Sequence, residues 1–297
     1  MHSTNNWQAN LLLLITAMIW GFAFVAQRQG MEHISPFTFN GIRFAIGSLS
    51  LLPVILFQRR RRKATPSPKM LPMLSGALCL GIALFLGSSF QQFGIVSTTA
   101  GKAGFITGLY VILVPIICLF WKQKTILPTW VGALLAVMGM YLLSVTAEFS
   151  ISRGDLLVLV SAFFWAIHVL LISWLSRKFD ALLLSLYQFI FCAIFSLLAA
   201  VETEVITVAG IQAATQPILY TGIFSVGIAY TLQIIAQQKA HPAHASIILS
   251  LESVFAVIGG YLFLGELIPT RGLIGCSLML AGMLLSQLFS SKQAQPL

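Results

Sequence analysis

Charge is what this 297-residue chain lacks most. Lys, Arg, Asp and Glu make up 8% of it, 17 basic residues against 8 acidic, where a soluble domain carries roughly 25%. No stretch is polar enough and long enough to clothe a water-facing surface, so a soluble domain is not expected. Cysteine is scarce as well. Cys79, Cys118, Cys192 and Cys276 stand singly in four apolar segments without CxxC spacing, which implies neither a disulfide framework nor a metal site. The sequence has no GxGxxG after a strand, no Walker-type loop, no HExxH and no paired aspartate motif for a metal diphosphate, so catalytic machinery and cofactors are not expected. His241 and His244 in "AHPAHAS" are spaced i, i+3, but Pro242 and the want of a nearby acid favour a loop pair over metal ligands.

Apolar sequence takes the place of charge: hydrophobic residues reach 58% and the mean hydropathy is +0.92. Ten apolar segments of spanning length follow one another: Gln8–Arg28, Pro36–Phe57, Lys69–Gly94, Ala100–Trp121, Pro128–Thr146, Asp155–Leu175, Leu182–Val201, Gln216–Gln238, Ala243–Gly265 and Arg271–Phe289. The fold expected is therefore an all-α integral membrane protein of ten transmembrane helices. The even count puts both termini on one side. If that side is cytoplasmic, inner loops and tail collect twelve basic residues, the outer loops only Arg28, Arg153 and Arg271, a strong positive-inside bias. "RRRRK" at Arg59 is then a topology signal and not a nucleic-acid module. The first segment lacks the basic start and cleavage site of a signal peptide and reads as the first helix.

The two halves resemble each other. "AGFITGLYVILVPIICLFWKQK" from Ala103 lies over "ASIILSLESVFAVIGGYLFLGE" from Ala245 at an offset of 142, which pairs Lys102 with His244 and Tyr110 with Glu252. "LITAMIWGFAF" lies over "LVSAFFWAIHV" at 145, pairing Trp20 with Trp165, Ala23 with His168 and Arg43 with Gln188. Gln91 pairs with Gln233, and Gly132 and Gly139 with Gly275 and Gly282. Offsets held within 142 to 145 along five successive segments divide the chain into repeats at 1–146 and 147–297. Five helices is an odd number, so the second copy enters the membrane from the opposite side, an inverted repeat that can rock about a midplane site.

"ITAMIWGFAFVAQRQGMEHISPFTFNGIRFAIGSLSLLPV", with Trp20, Pro36 and Arg43, and "LESVFAVIGGYLFLGE" resemble the drug/metabolite transporter superfamily of EamA type, from about Leu11 to Leu288. Two departures are visible. Ser253 stands where members often carry proline after the glutamate of the ninth helix, so the kink is not carried over, and Pro115 stands a turn later than in many first repeats. The resemblance implies that four helices of each half surround a cavity while the fifth and tenth support it.

Candidate lining residues are Asn40, Arg43, Gln91, Gln92, Tyr110, His168, Tyr187, Gln188, Tyr230, Gln233 and Glu252, with Trp20 and Trp165 as aromatic walls. An aromatic, amide-rich lining suits amino acids, amphipathic metabolites or drug-like amines better than polyanions. Each residue also has a plainer role open to it. Arg43 could snorkel to the outer interface, Lys102 could reach interface water, His168 and the glutamines could tie helices together, and the tryptophans could simply pack. Glu252 carries the sharpest expectation. Ala245, Ala256 and Gly259 put it on a small-residue face, and an ionised carboxylate at membrane depth costs several kcal/mol, about 2.5 to 3.5 on insertion scales, unless paired, watered or protonated. A proton-coupling role for Glu252, with His168 or Arg43 as partner, competes with a purely structural hydrogen bond.

The function expected is secondary transport of a small solute across the bacterial inner membrane, outward and coupled to protons, with both termini cytoplasmic. Lipid and solute are the expected partners, without nucleic acid or an obligate protein partner. The alternative is a non-transporting membrane protein, a lipid-modifying enzyme or scaffold.

Overall fold

The computed structural model describes residues 6–61, 70–120, 126–144, 152–267 and 270–290. Arg62, Lys63, Lys69, Lys122, Lys124, Glu148 and Lys292 of the charge count lie outside the described residues. Among the described residues every element is a helix. Lipid imposes this, because it offers the backbone no hydrogen bonds and only helices or closed barrels satisfy the chain internally.

Ten long helices occupy the ten expected segments: α1 (Asn6–Gly30), α2 (Pro36–Arg61), α3 (Met70–Ile95), α4 (Ala100–Phe120), α5 (Leu127–Ser144), α6 (Arg153–Leu175), α7 (Ala181–Thr203), α8 (Thr215–Gln237), α9 (Pro242–Leu264) and α10 (Thr270–Ser290). A short helix, Val208–Ala213, precedes α8. Eight of the ten are long and apolar enough to cross a membrane; the remaining two are α5 and α10, the pair expected to act as support.

Local chemistry fixes where the helices begin. Thr99 caps α4 by accepting from the Lys102 amide, and His241 caps α9 through Nδ1, which accepts from the Ala243 amide. Ser152 and Asp155 form a capping box at the start of α6. Glu204, just past α7, accepts from the Phe37 and Thr38 amides, both at 2.8 Å, so its carboxylate sits against the positive end of α2. The buried side of His241, with the Arg177 guanidinium nearby, holds its imidazole down at about 4. It stays a neutral acceptor for its cap.

The heaviest helix contacts run between the halves. α5 packs on α10, α2 on α7 and α4 on α9, while α1 packs on α8 and α9 as α6 packs on α3 and α4. Exchanging the halves maps this set onto itself, as an inverted repeat requires. Glycine permits the close approach of α5 to α10: a Cβ on Gly139 would run into the Gly275 carbonyl oxygen, and one on Gly282 would lie 2.6 Å from the Gly132 carbonyl oxygen. α5 and α10 are thus clamped backbone to backbone.

Three helices are irregular. α4 breaks at Leu109 and α9 at Ser250–Leu251, where the chain switches to i to i−3 bonds such as Leu109 N to Ile106 O and Leu251 N to Ile248 O, both 3.2 Å. The breaks are repeat equivalents, and the one in α9 forms without proline. A break in the helix thus stands just before Glu252, where the want of proline leaves a kink open. α8 is π-helical over Tyr220–Tyr230, and its carbonyls accept from α1: Thr16 Oγ1 to Ala229 O at 3.2 Å and Trp20 Nε1 to Ser225 O at 3.2 Å. Its repeat partner α3 is regular throughout.

The face at which α1 begins is called the near face below, and the opposite one the far face.

Candidate solute-binding cavity

The two helix breaks place Tyr110 and Glu252 at the start of the second halves of α4 and α9. At the α9 break the leading amides stay bonded within the helix, Ser253 N to Ser250 O at 3.1 Å and Val254 N to Leu251 O at 3.0 Å, so the Glu252 carboxylate does not cap them. α1 closes in beside it, since a Cβ on Gly21 would lie 2.7 Å from the Glu252 carbonyl oxygen. Glu252 is 3% exposed. Tyr110 is equally buried, at 3% exposed, and Tyr110 Oη and Glu252 Oε1 both lack a hydrogen-bond partner among the described residues. Neither expected partner takes that place. Arg43 Nε donates to Asn40 Oδ1 at 3.0 Å, and His168 Nε2 meets Gln188 Oε1 at 2.9 Å.

Around this pair the structure forms a narrow cavity lined from α1, α2, α3, α4, α6, α8 and α9. About 30 Å³ of it is wide enough for the centre of a water molecule, room for two or three waters at roughly 10 to 15 Å³ each. Tyr230 stands between the two repeat-related tryptophans, its ring centroid 4.6 Å from Trp20 and 6.1 Å from Trp165, with His168 edge-on at 5.9 Å. Trp165 Nε1 donates to Gln91 Oε1 at 2.8 Å, which fixes both side chains. Gln233 completes the α8 wall. Arg43 does not snorkel: it is 2% exposed, with its guanidinium carbon 4.9 Å from the Phe44 centroid and 5.6 Å from that of Phe39.

Nine of the thirteen candidates thus line the cavity, and Asn40, Gln92, Tyr187 and Gln188 do not. Asn40 and Gln188 stand one bond behind it, holding Arg43 and His168. Tyr187 packs against the Met73, Ala77 and Leu80 cluster elsewhere. Gln92, next to Gln91, turns toward Gln27 on α1, its Nε2 reaching the Gln27 carbonyl at 3.5 Å. Gln27, Thr107 and Ser225 also line the cavity. Thr107 lies one turn before Tyr110, and that spacing was the signal available for it.

Several lining atoms are buried without a hydrogen-bond partner among the described residues: Gln27 Oε1, Thr107 Oγ1, Tyr110 Oη, Gln233 Oε1 and Glu252 Oε1. Each such atom costs about 1 to 3 kcal/mol, more if charged. Clustered in one cavity, they form a set of polar contacts for a solute to satisfy.

Two halves of opposite insertion, interleaved around a buried polar cavity, define a multi-pass membrane fold built by duplication. The chain matches the EamA-like transporter family twice, over residues 7–145 and 152–288, and belongs to it. It is 34% identical over 285 residues, 94% of this chain and 86% of the other, to an uncharacterized transporter of Archaeoglobus fulgidus. It is 25% identical to a chloroplastic WAT1-related protein of Arabidopsis thaliana, covering 92% of this chain and 68% of that one. A crystal structure at 16% identity superposes with a TM-score of 0.77 over 97% of this chain and 99% of the other, a likeness of fold. The protein is a membrane transporter whose surround is lipid and whose cargo is a small molecule.

Proposed function

We propose that the protein is a secondary carrier that exports a small amphipathic metabolite across the bacterial inner membrane by alternating access, in exchange for protons. The solute classes that fit are amino acids and drug-like amines. One observation carries the reading: the cavity holds a cation, Arg43, and an acid, Glu252, that do not pair with each other, between aromatic walls. Such a lining suits a solute with charges of both signs, or an amine held over aromatic faces. The repeats at 1–146 and 147–297 are the two bodies that rock, with the near face cytoplasmic. Loading proteoliposomes with radiolabelled amino acids and aromatic amines tests the reading directly. Saturable efflux that accelerates under an imposed pH difference is expected, and passive leak identical to empty vesicles for every compound would overturn it.

The orientation has its own test. Glu32, Glu202 and Lys178 are all exposed, and Lys178 stacks over Trp174, its Nζ 3.9 Å from the ring centroid. In intact cells a membrane-impermeant thiol reagent is expected to label cysteine at 32 and 202 and to spare 178. Labelling at 178 alone reverses the assignment.

A further inference from the structure

We propose that Lys102 with Asp155, and His244 with Asn10, are a matched pair of latches that close the cavity at its far and near faces, and that turnover opens them one at a time. The inference rests on the alternating-access reading above.

Lys102 does not simply reach for interface water. Its Nζ lies 3.3 Å from Asp155 Oδ2, and Asp155 also accepts from Thr98 Oγ1 at 2.7 Å and from the Ser152 amide at 2.9 Å. This joins α4 of the first half to α6 of the second at the far face. At the near face His244 Nε2 lies 3.0 Å from Asn10 Oδ1, which joins α9 of the second half to α1 of the first.

The repeat relates the two contacts residue by residue. Lys102 and His244 are 142 apart, Asn10 and Asp155 are 145 apart, and the caps that begin the two helices, Thr99 and His241, are again 142 apart. The same two positions meet twice, once on each face, and each meeting crosses between the halves. Distance along the helices is matched too. Lys102 and His244 each stand eight residues before the break residues Tyr110 and Glu252, and Asn10 and Asp155 each stand ten before Trp20 and Trp165. At 1.5 Å per residue that is about 12 and about 15 Å from the cavity at either end. Both contacts are made in this structure, and the cavity between them is correspondingly narrow.

The chemistry of the two latches differs. The far one is an ion pair whose lysine side chain is 31% exposed, so salt weakens it. The near one joins an imidazole to an amide, with His244 3% exposed, and salt leaves it alone.

The test uses Thr107→Cys, a cavity position, in a chain whose four native cysteines are replaced by alanine. An impermeant charged thiol reagent is applied to the far face in intact cells and to the near face in inside-out vesicles. Lys102→Met is expected to raise far-face labelling about fivefold and lower near-face labelling, the effect of a coupling at the weak end of the usual range. Asn10→Val is expected to do the reverse, while Lys102→Arg and Asn10→Asp keep the parent rates. Raising external salt to about 1 M, where screening acts within about 3 Å, is expected to speed far-face labelling without any latch substitution. Labelling that shifts between faces with an imposed pH difference but ignores both latch variants and salt overturns the latches and leaves the carrier intact. Labelling that never depends on side under any of these conditions overturns the carrier reading, and the latches with it.

Discussion

Proteoliposomes carrying Glu252→Gln are expected to exchange labelled solute across the membrane yet fail to accumulate it when a pH difference is imposed. Glutamine keeps the shape of the side chain and most of its hydrogen bonding but cannot take up or release a proton. Glu252 is suited to proton exchange because it opens a half-helix, is buried in the cavity and has an oxygen without a hydrogen-bond partner among the described residues. A pH difference of one unit coupled to one proton supports about tenfold accumulation, since one unit is worth about 1.4 kcal/mol. The variant is expected to stop at equal concentrations inside and out, with exchange within about threefold of the parent protein, or about 0.6 kcal/mol. Parent-level accumulation in Glu252→Gln would make the residue structural only. Loss of exchange together with accumulation would give it a binding role in place of the coupling one.

Arg43→Leu is expected to separate stability from function in opposite directions. The guanidinium is always charged, is 2% exposed, and has Asn40 as its hydrogen-bond partner, with two phenyl rings against it. A buried charge carries a desolvation cost of several kcal/mol, and replacing buried ionic groups by packed apolar side chains is often neutral or stabilising, tempered here by the acceptor left behind on Asn40. The purified variant is therefore expected to melt at or above the parent temperature. If Arg43 holds the anionic part of the solute, transport falls by roughly 10- to 150-fold, the worth of a charge-assisted hydrogen bond at about 1.5 to 3 kcal/mol. Full transport in a stable variant dismisses a solute role. A lowered melting point assigns Arg43 to the fold.

Hydropathy and the repeat carried most of the architecture, for a physical reason. Lipid demands long uninterrupted helices, and these can be counted directly; duplication then aligns Trp20 with Trp165 and Tyr110 with Glu252, all four of which line the cavity. Facing was harder to read. A helix that is apolar all round has no polar stripe to reveal which side looks inward, so the adjacent Tyr187 and Gln188 on α7 were both assigned to the cavity. One packs away from it and the other buttresses His168. Arg28 shows the same limit at a helix end. It counts as a loop charge by position, yet its Nη1 reaches the Ile95 and Val96 carbonyls at 2.8 and 2.7 Å and closes the end of α3. The break in α9 was not legible because proline is one route to a kink and not the only one; at Ser250–Leu251 tightened backbone bonds suffice.

The eleven-residue π-helix in α8 has a thermodynamic consequence. In a carrier by alternating access whose halves had identical sequences, exchanging their conformations would turn the inward-facing state into the outward-facing one at equal energy, and each would hold half the molecules at rest. α3 is regular where α8 is widened, so exchanging the halves no longer returns the same molecule. If the halves exchange roles as proposed, a widening that α8 takes up and α3 does not gives the two access states unequal free energies, and every 1.4 kcal/mol of inequality, about a factor of ten in population, skews the resting ensemble toward one side before any solute or proton has bound.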